Sequence, residues 1–205
     1  MKKIHEINRQ VSIGKDEADF LLEIMNGNQP SYEIHSDSFV KYFIVGLFTH
    51  FSEQFASNII STDSTTATLG YGGQSMYSVG AVGDTSVGLL IGTGATVETI
   101  SDTSMKTQIL NGSGSGQLSY GASSVAPISV SSPSAEIVCT RTFSNSSGNS
   151  ITINEIGIAM YDTTTSAGAK RFLGARDLQT LIVNNGNTLT LNYNPIDRLI
   201  SDSHK

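Results

Sequence analysis

Four runs decide the fold: A-E-I-V-C-T-R-T-F (Ala135 to Phe143), I-T-I-N-E-I-G-I-A-M (Ile151 to Met160), R-F-L-G-A-R-D-L (Arg171 to Leu178) and T-L-T-L-N-Y (Thr188 to Tyr193). Apolar and polar residues alternate, β-branched residues are frequent, and Gly and Asn punctuate the ends, the pattern of antiparallel strands joined by tight turns. Asn145-Ser146-Ser147-Gly148-Asn149 separates the first two runs. Asn185-Gly186 can take the positive φ angles of a two-residue hairpin turn between the last two.

Phase within these strands carries further information. Ala135, Ile137, Cys139 and Phe143 share one face, and Arg141 sits among them. Ile151 and Ile153 share one phase of the second strand, whereas Ile156, Ile158 and Met160 share the other. A strand that changes phase contains a bulge, expected near Asn154-Glu155. If the five-residue loop sets the register, Phe143 faces Ile151 and Arg141 lies diagonal to Glu155. The expectation is a partly buried Arg141–Glu155 ion pair, with Arg176 as the rival partner for Glu155. The alternative is that both arginines extend their head groups to solvent.

Outward from this block, composition agrees. Of 205 residues, 38% are hydrophobic and only 15% charged, with Ser, Thr, Asn and Gly filling the difference. That suits a loop-rich all-β chain with a thin core between two sheets; long surface helices need more charge. The expected architecture is mainly β: an antiparallel β-sandwich of jelly-roll or Ig-like type, with one amphipathic N-terminal helix and extended terminal arms. The divisions are an arm over 1–36, a helix-plus-sandwich domain over 37–194 and a tail over 195–205. In the arm, Val11-Ser12-Ile13 can pair as a short strand, and Asp16 to Met25 has helical spacing until Asn26-Gly27-Asn28-Gln29-Pro30 breaks it.

Phe39 to Phe55 reads as the main helix, with an N-cap offered by Ser36-Asp37-Ser38. Phe39, Val40, Phe43, Ile44, Leu47, Phe48, Phe51 and Phe55 fall within roughly half its circumference. Burying such side chains is worth about 2 kcal/mol each. The stripe therefore needs a large apolar partner, either the sheets or a neighbouring subunit. The polar, Gly-rich stretch 58–88, with Tyr71, Met76, Tyr77 and Val79 as anchors, is expected as a loop or paired ribbon. Val87 to Gly94 reads as a buried strand running into a turn. Asp102 to Ile109 reads as one helical turn with Met105 and Ile109 inward. Gly112 to Gly116 is expected as a flexible loop, Gln117–Ala122 and Ala126–Val130 as strands, and Pro195 as the end of the last strand.

Charge and motifs exclude several chemistries. The formal net charge is −6, and the 12 basic residues are scattered, against a phosphate-binding surface. Gly70-Tyr71-Gly72 and Gly92-Thr93-Gly94 lack the third glycine and the Lys-Ser/Thr of nucleotide loops. His5, His35, His50 and His204 have no carboxylate at ligand spacing, so no metal is expected; His50 reads as a packing residue at the edge of the helix stripe. Cys139, the single cysteine, reads as a small buried hydrophobe. G-x-S-x-G is absent, and there is no Trp to form a sugar platform. Met1-Lys2-Lys3 is followed by no apolar core, so no signal peptide is expected, and no run reaches the length of a membrane span. No catalytic, cofactor-binding or metal-binding residue is assigned.

Three linked features carry a resemblance. F-V-K-Y-F-I-V-G-L-F (Phe39 to Phe48) lies ahead of the polar stretch. G-L-L-I-G-T-G-A-T-V-E-T-I-S-D-T-S-M-K-T-Q-I (Gly88 to Ile109) leads into G-S-G-S-G-Q-L-S-Y-G-A (Gly112 to Ala122). R-T-F-S-N-S-S-G-N-S-I-T-I-N-E-I-G-I (Arg141 to Ile158) leads to F-L-G-A-R-D-L (Phe172 to Leu178) and G-N-T-L-T-L-N-Y (Gly186 to Tyr193). Together these resemble virion structural proteins of tailed bacteriophages, over roughly Phe39 to Tyr193. The resemblance implies a non-enzymatic β-sandwich subunit, assembled in the bacterial cytoplasm into a ring or array of the neck, collar or tail. Its partners would be copies of itself and other virion proteins, with no nucleic acid, membrane, small-molecule substrate or cofactor. A capsid decoration or fibre protein that adheres to glycans is the alternative within the virion. A cell-wall hydrolase, which needs two carboxylates facing each other in a cleft, is the alternative outside it.

Overall fold

The computed structural model describes residues 20–23, 31–35, 39–70, 77–131, 134–162 and 168–194. In chain order the elements are β1 (Phe20–Glu23), β2 (Ser31–His35), α1 (Lys41–Ser52), β3 (Ala56–Ile60), β4 (Thr66–Leu69), β5 (Gly88–Gly92), β6 (Ser119–Val125), β7 (Ser129–Ser131), β8 (Ser134–Glu136), β9 (Cys139–Ser144), β10 (Ile151–Asp162), β11 (Lys170–Val183) and β12 (Thr188–Asn194). The chain is mainly β, with one short helix among the described residues. A five-stranded sheet runs β1-β2-β12-β9-β6 and a three-stranded sheet runs β11-β10-β5. Two-stranded ribbons β3-β4 and β7-β8 complete the set. All pairings are antiparallel except β12 with β2.

The four expected strands are present, but their partners differ. The first run divides into β8 and β9. β9 pairs with β12 and β6, while β10 pairs with β11 and β5. The loop 145–150 is therefore a crossover between sheets, not a hairpin, and Phe143 faces Leu189 and Tyr120 rather than Ile151. The Asn185-Gly186 turn is a crossover too. Gly186 does take a positive φ of 83°, and Asn187 N–H donates to Asn184 O at 3.0 Å. The two crossovers are knitted together at one corner. Buried Asn145 donates from Nδ2 to Val183 O (2.7 Å) and Asn149 O (2.8 Å), and its backbone carbonyl accepts from Gly186 N–H (2.7 Å). The Asn-rich loops make their polar side chains into tertiary cross-links.

The bulge lies where the phase change places it, between Ile153 and Glu155. A second irregularity follows at Ile158/Ala159. Past the first bulge both faces of β10 are covered, and Glu155 to Met160 are all buried. One apolar core draws Tyr120, Phe143, Leu189, Leu191 and Tyr193 from the five-stranded sheet and Leu89, Ile91, Ile156, Ile158 and Leu173 from the three-stranded sheet. β5 is buried along its whole length, as expected.

Elsewhere the structure corrects the sequence. Phe20–Glu23, within the helix expected over Asp16–Met25, is a strand that pairs with β2; the rest of that span, Val11–Ile13, Asn26–Pro30, Ser36–Ser38 and the tail 195–205 lie outside the described residues. Tyr71 and Met76 do as well. The arm docks on its own body: β2 extends the five-stranded sheet alongside β12. α1 begins at Lys41 and is capped by the Val40 backbone without a side-chain cap. It stops at Ser52, where Glu53 turns left-handed at φ 53°. Asp102–Ile109 is not helical. It runs along the β5 edge, with Thr93 N–H to Thr107 O and Ile109 N–H to Ile91 O. Met105 and Ile109 nevertheless point inward. The stretch 58–88 is a paired ribbon in part. β3 and β4 meet around a Ser61–Thr65 turn, in which Asp63 accepts from the Thr65 N–H and hydroxyl.

Candidate functional site

Four features hold the chemistry: two buried arginine clusters, a cleft, and the outer face of α1.

Arg141 and Glu155 do not meet, because β9 and β10 belong to different sheets. Neither Arg141 nor Arg176 reaches solvent; both are fully buried. The rival pairing is the one formed: Arg176 Nε donates to Glu155 Oε2 at 2.7 Å. Arg176 Nη1 also reaches Asp102 at 3.0 Å, and Nη2 reaches Thr96 O at 2.8 Å. Glu155 further accepts the backbone N–H groups of Thr107 (2.7 Å), Lys106 (3.0 Å) and Gly94 (3.2 Å). Burial pushes the Glu155 carboxyl up, but the Thr107 and Lys106 amides and the Arg176 guanidinium outweigh it and hold it below the usual range. Asp102 is likewise held low against burial by Lys106 and Thr99. These contacts take up the amide hydrogens that a helical turn over 102–109 needs, which is why that turn does not form.

Gly92-Thr93-Gly94 has its explanation here. A Cβ on either glycine would strike the Glu155 carboxylate. The motif that superficially resembles a phosphate loop makes room for an anion of the protein itself.

Among the described residues Arg141 forms no salt bridge with a carboxylate. Its guanidinium donates to five backbone carbonyls: Gly121 (2.8 Å), Val87 (3.2 Å), Leu89 (3.0 Å), Ala81 (3.0 Å) and Asp84 (2.6 Å). It also stacks on the Tyr120 ring, 4.7 Å from the centroid. Burial draws its pKa below the ordinary value, with Tyr120 and Asp84 opposing. Tyr120 OH donates to Ile109 O at 2.5 Å, and burial raises its pKa to about 12. Tyr193 OH donates to Asp177 across the sheets. Arg141, Tyr120 and Tyr193 thus tie the two larger sheets together with polar contacts inside the core. Cys139 is buried, as expected, and burial raises its thiol to about 11.

A cleft of about 410 Å³ opens beside the ribbon, lined by Thr62, Asp63, Thr85, Ser86, Ser104, Gln108, Lys170 and Arg171, with Leu90, Met105 and Leu173 also contributing. Asp63 is the one carboxylate among the lining residues. Glu155 and Asp102, two carboxylates brought together by Arg176, are both buried and both bound to it. Among the described residues no group of three or more His, Cys, Asp or Glu could hold a metal, and no helix is long and apolar enough to cross a membrane.

The fourth feature bears on which partner the helix stripe meets. α1 packs on β11 and β3 through Tyr42, Gly46 and Thr49, all buried. The Tyr42 ring lies 5.9 Å from that of Phe172, tilted by 37°, and its hydroxyl accepts Ile60 N–H at 3.0 Å. The stripe divides along its length: Val40 is buried in the core, whereas Ile44, Phe48 and Phe51 are 52, 50 and 86% exposed and Phe55 is exposed too. Phe39 and Phe43, stacked at 4.2 Å, are its partly buried margin. Ile100, 66% exposed, adjoins the helix start, where Lys41 N–H donates to its carbonyl.

No family model, curated protein or solved structure matches the chain.

Proposed function

We propose that this chain is a non-enzymatic structural subunit of a tailed-phage virion, associating with copies of itself through the outer face of α1. The observation that carries assembly is the exposed row of Ile44, Phe48 and Phe51 on a helix whose opposite side is already packed. A helix normally turns its apolar stripe inward, and a contiguous exposed apolar patch marks an interaction site. The virion reading rests on the resemblance of the segments between Phe39 and Tyr193. In this reading the two larger sheets are the layers of a β-sandwich, made rigid by the Arg141, Tyr120 and Tyr193 cross-links, and that rigidity is what a repeated assembly requires. Copies join in a ring or array of the neck, collar or tail. Mass photometry of the purified chain tests this reading. The expected result is a discrete multiple of the 21.8 kDa protomer. A monomer at micromolar concentration would remove the proposal.

A further inference from the structure

We infer that the cleft beside the β3-β4 ribbon binds a small polyol bearing one carboxylate, the chemistry of a uronic acid. Three arginines of the body differ in one respect. Arg141 and Arg176 are saturated by acceptors of the protein. The half-buried Arg171 guanidinium has no hydrogen-bond or ion-pair partner among the described residues, and its buried Nε is unsatisfied. The group stacks over the Tyr161 ring, 5.1 Å from the centroid, and its charge acts on the Asp84 carboxylate without a hydrogen bond to it. An unsatisfied planar donor fork lining a cleft fits a carboxylate, which it can bind through two parallel N–H bonds.

The rest of the lining selects the remainder of the ligand. The hydroxyls of Thr62, Thr85 and Ser104 donate to no other described residue, and Ser86 and Gln108 stand beside them. The cleft volume, about 410 Å³, lies in the range of small-molecule sites. Charge favours a monoanion. Lys170 is tied to Asp63 at 3.1 Å and to Thr65 at 2.6 Å, which leaves Arg171, whose charge also acts on the Asp84 carboxylate, as the lining cation without a hydrogen-bonded carboxylate among the described residues.

The test is an NMR titration of the full ¹⁵N-labelled chain with sodium glucuronate, its neutral amide, glucose and inorganic phosphate. Saturable shifts at Thr62, Ser86, Ser104 and Arg171 are expected with glucuronate, with the amide and glucose weaker by about tenfold or more. That comparison uses the unaltered protein and does not depend on the folding of any variant. Arg171→Gln should erase the preference for the charged sugar over the amide. Equal binding of all three sugars, stronger binding of phosphate, or no shifts up to about 50 mM glucuronate would overturn the assignment.

Discussion

Arg141 and Glu155 show what residue identity can and cannot settle. Both lie on faces that the alternation marks as buried, and Arg176 is legible as a partner for Glu155. Which arginine wins depends on the sheet each strand joins, and strand phase does not encode that. Arg141 instead serves as a backbone organiser, binding five carbonyls from the segments 81–89 and 121. Lysine has one donor centre and cannot span that set. Arg141→Lys should therefore lower unfolding stability by about 3 kcal/mol or more, because unsatisfied buried carbonyls cost about 1–3 kcal/mol each; urea denaturation reads this directly. Glu155 and Asp102 make stability pH-dependent. Both carboxyls are held below their ordinary values in the folded chain, so the unfolded chain binds their protons first as pH falls. Their contribution is complete above the unfolded values near about 4 and is lost as pH drops towards the folded ones. Unfolding free energy should be level from about pH 7 to 5 and decline below about 4. A decline centred near neutrality would contradict the assignment.

At the scale of elements, the bulge in β10 was readable because Ile151 and Ile153 fall out of phase with Ile156 and Ile158. The strand at Gly88–Gly92 was readable from its unbroken apolar run. The segment 102–109 was not, since its inward residues suit a turn of helix equally well. What decides it is the Glu155 carboxylate, distant in sequence, which captures the Lys106 and Thr107 amides. The flanking glycines test that account. Gly94→Ala places a methyl against the carboxylate and should cost about 1–3 kcal/mol in a thermal or urea melt. Unchanged stability would mean that the carboxylate moves aside freely. α1 is the other lesson. Its hydrophobic periodicity located the helix but left open whether the sheets or a neighbouring subunit covers the stripe, because a greasy stripe shows only that some partner covers it; only the end at Val40, Phe39 and Phe43 meets the core. Gly46 and Thr49 form the inner side with Tyr42: Thr49 satisfies its hydroxyl on Gly46 O at 2.8 Å and leaves a compact surface for β11.

At the scale of the molecule, mainly-β character was legible from composition, but topology was not. The loops 145–150 and 184–187 carry turn chemistry and yet cross between sheets, since short Asn- and Gly-containing turns accept either course and the long-range pairing of β9 with β12 and β6 decides between them. The cleft was equally invisible, because it gathers Thr62, Ser86, Ser104 and Arg171 from four separate segments. The central claim concerns what covers α1. Phe48→Ser combined with Phe51→Ser alters only half-exposed or exposed positions and should change stability little, since surface substitutions mostly stay within about 0.5 kcal/mol. The decisive measurement is light scattering after size exclusion on the native chain and this double variant at equal concentration. The account predicts an oligomer for the native chain and a monomer of unchanged melting temperature for the variant; an identical mass for both would contradict it.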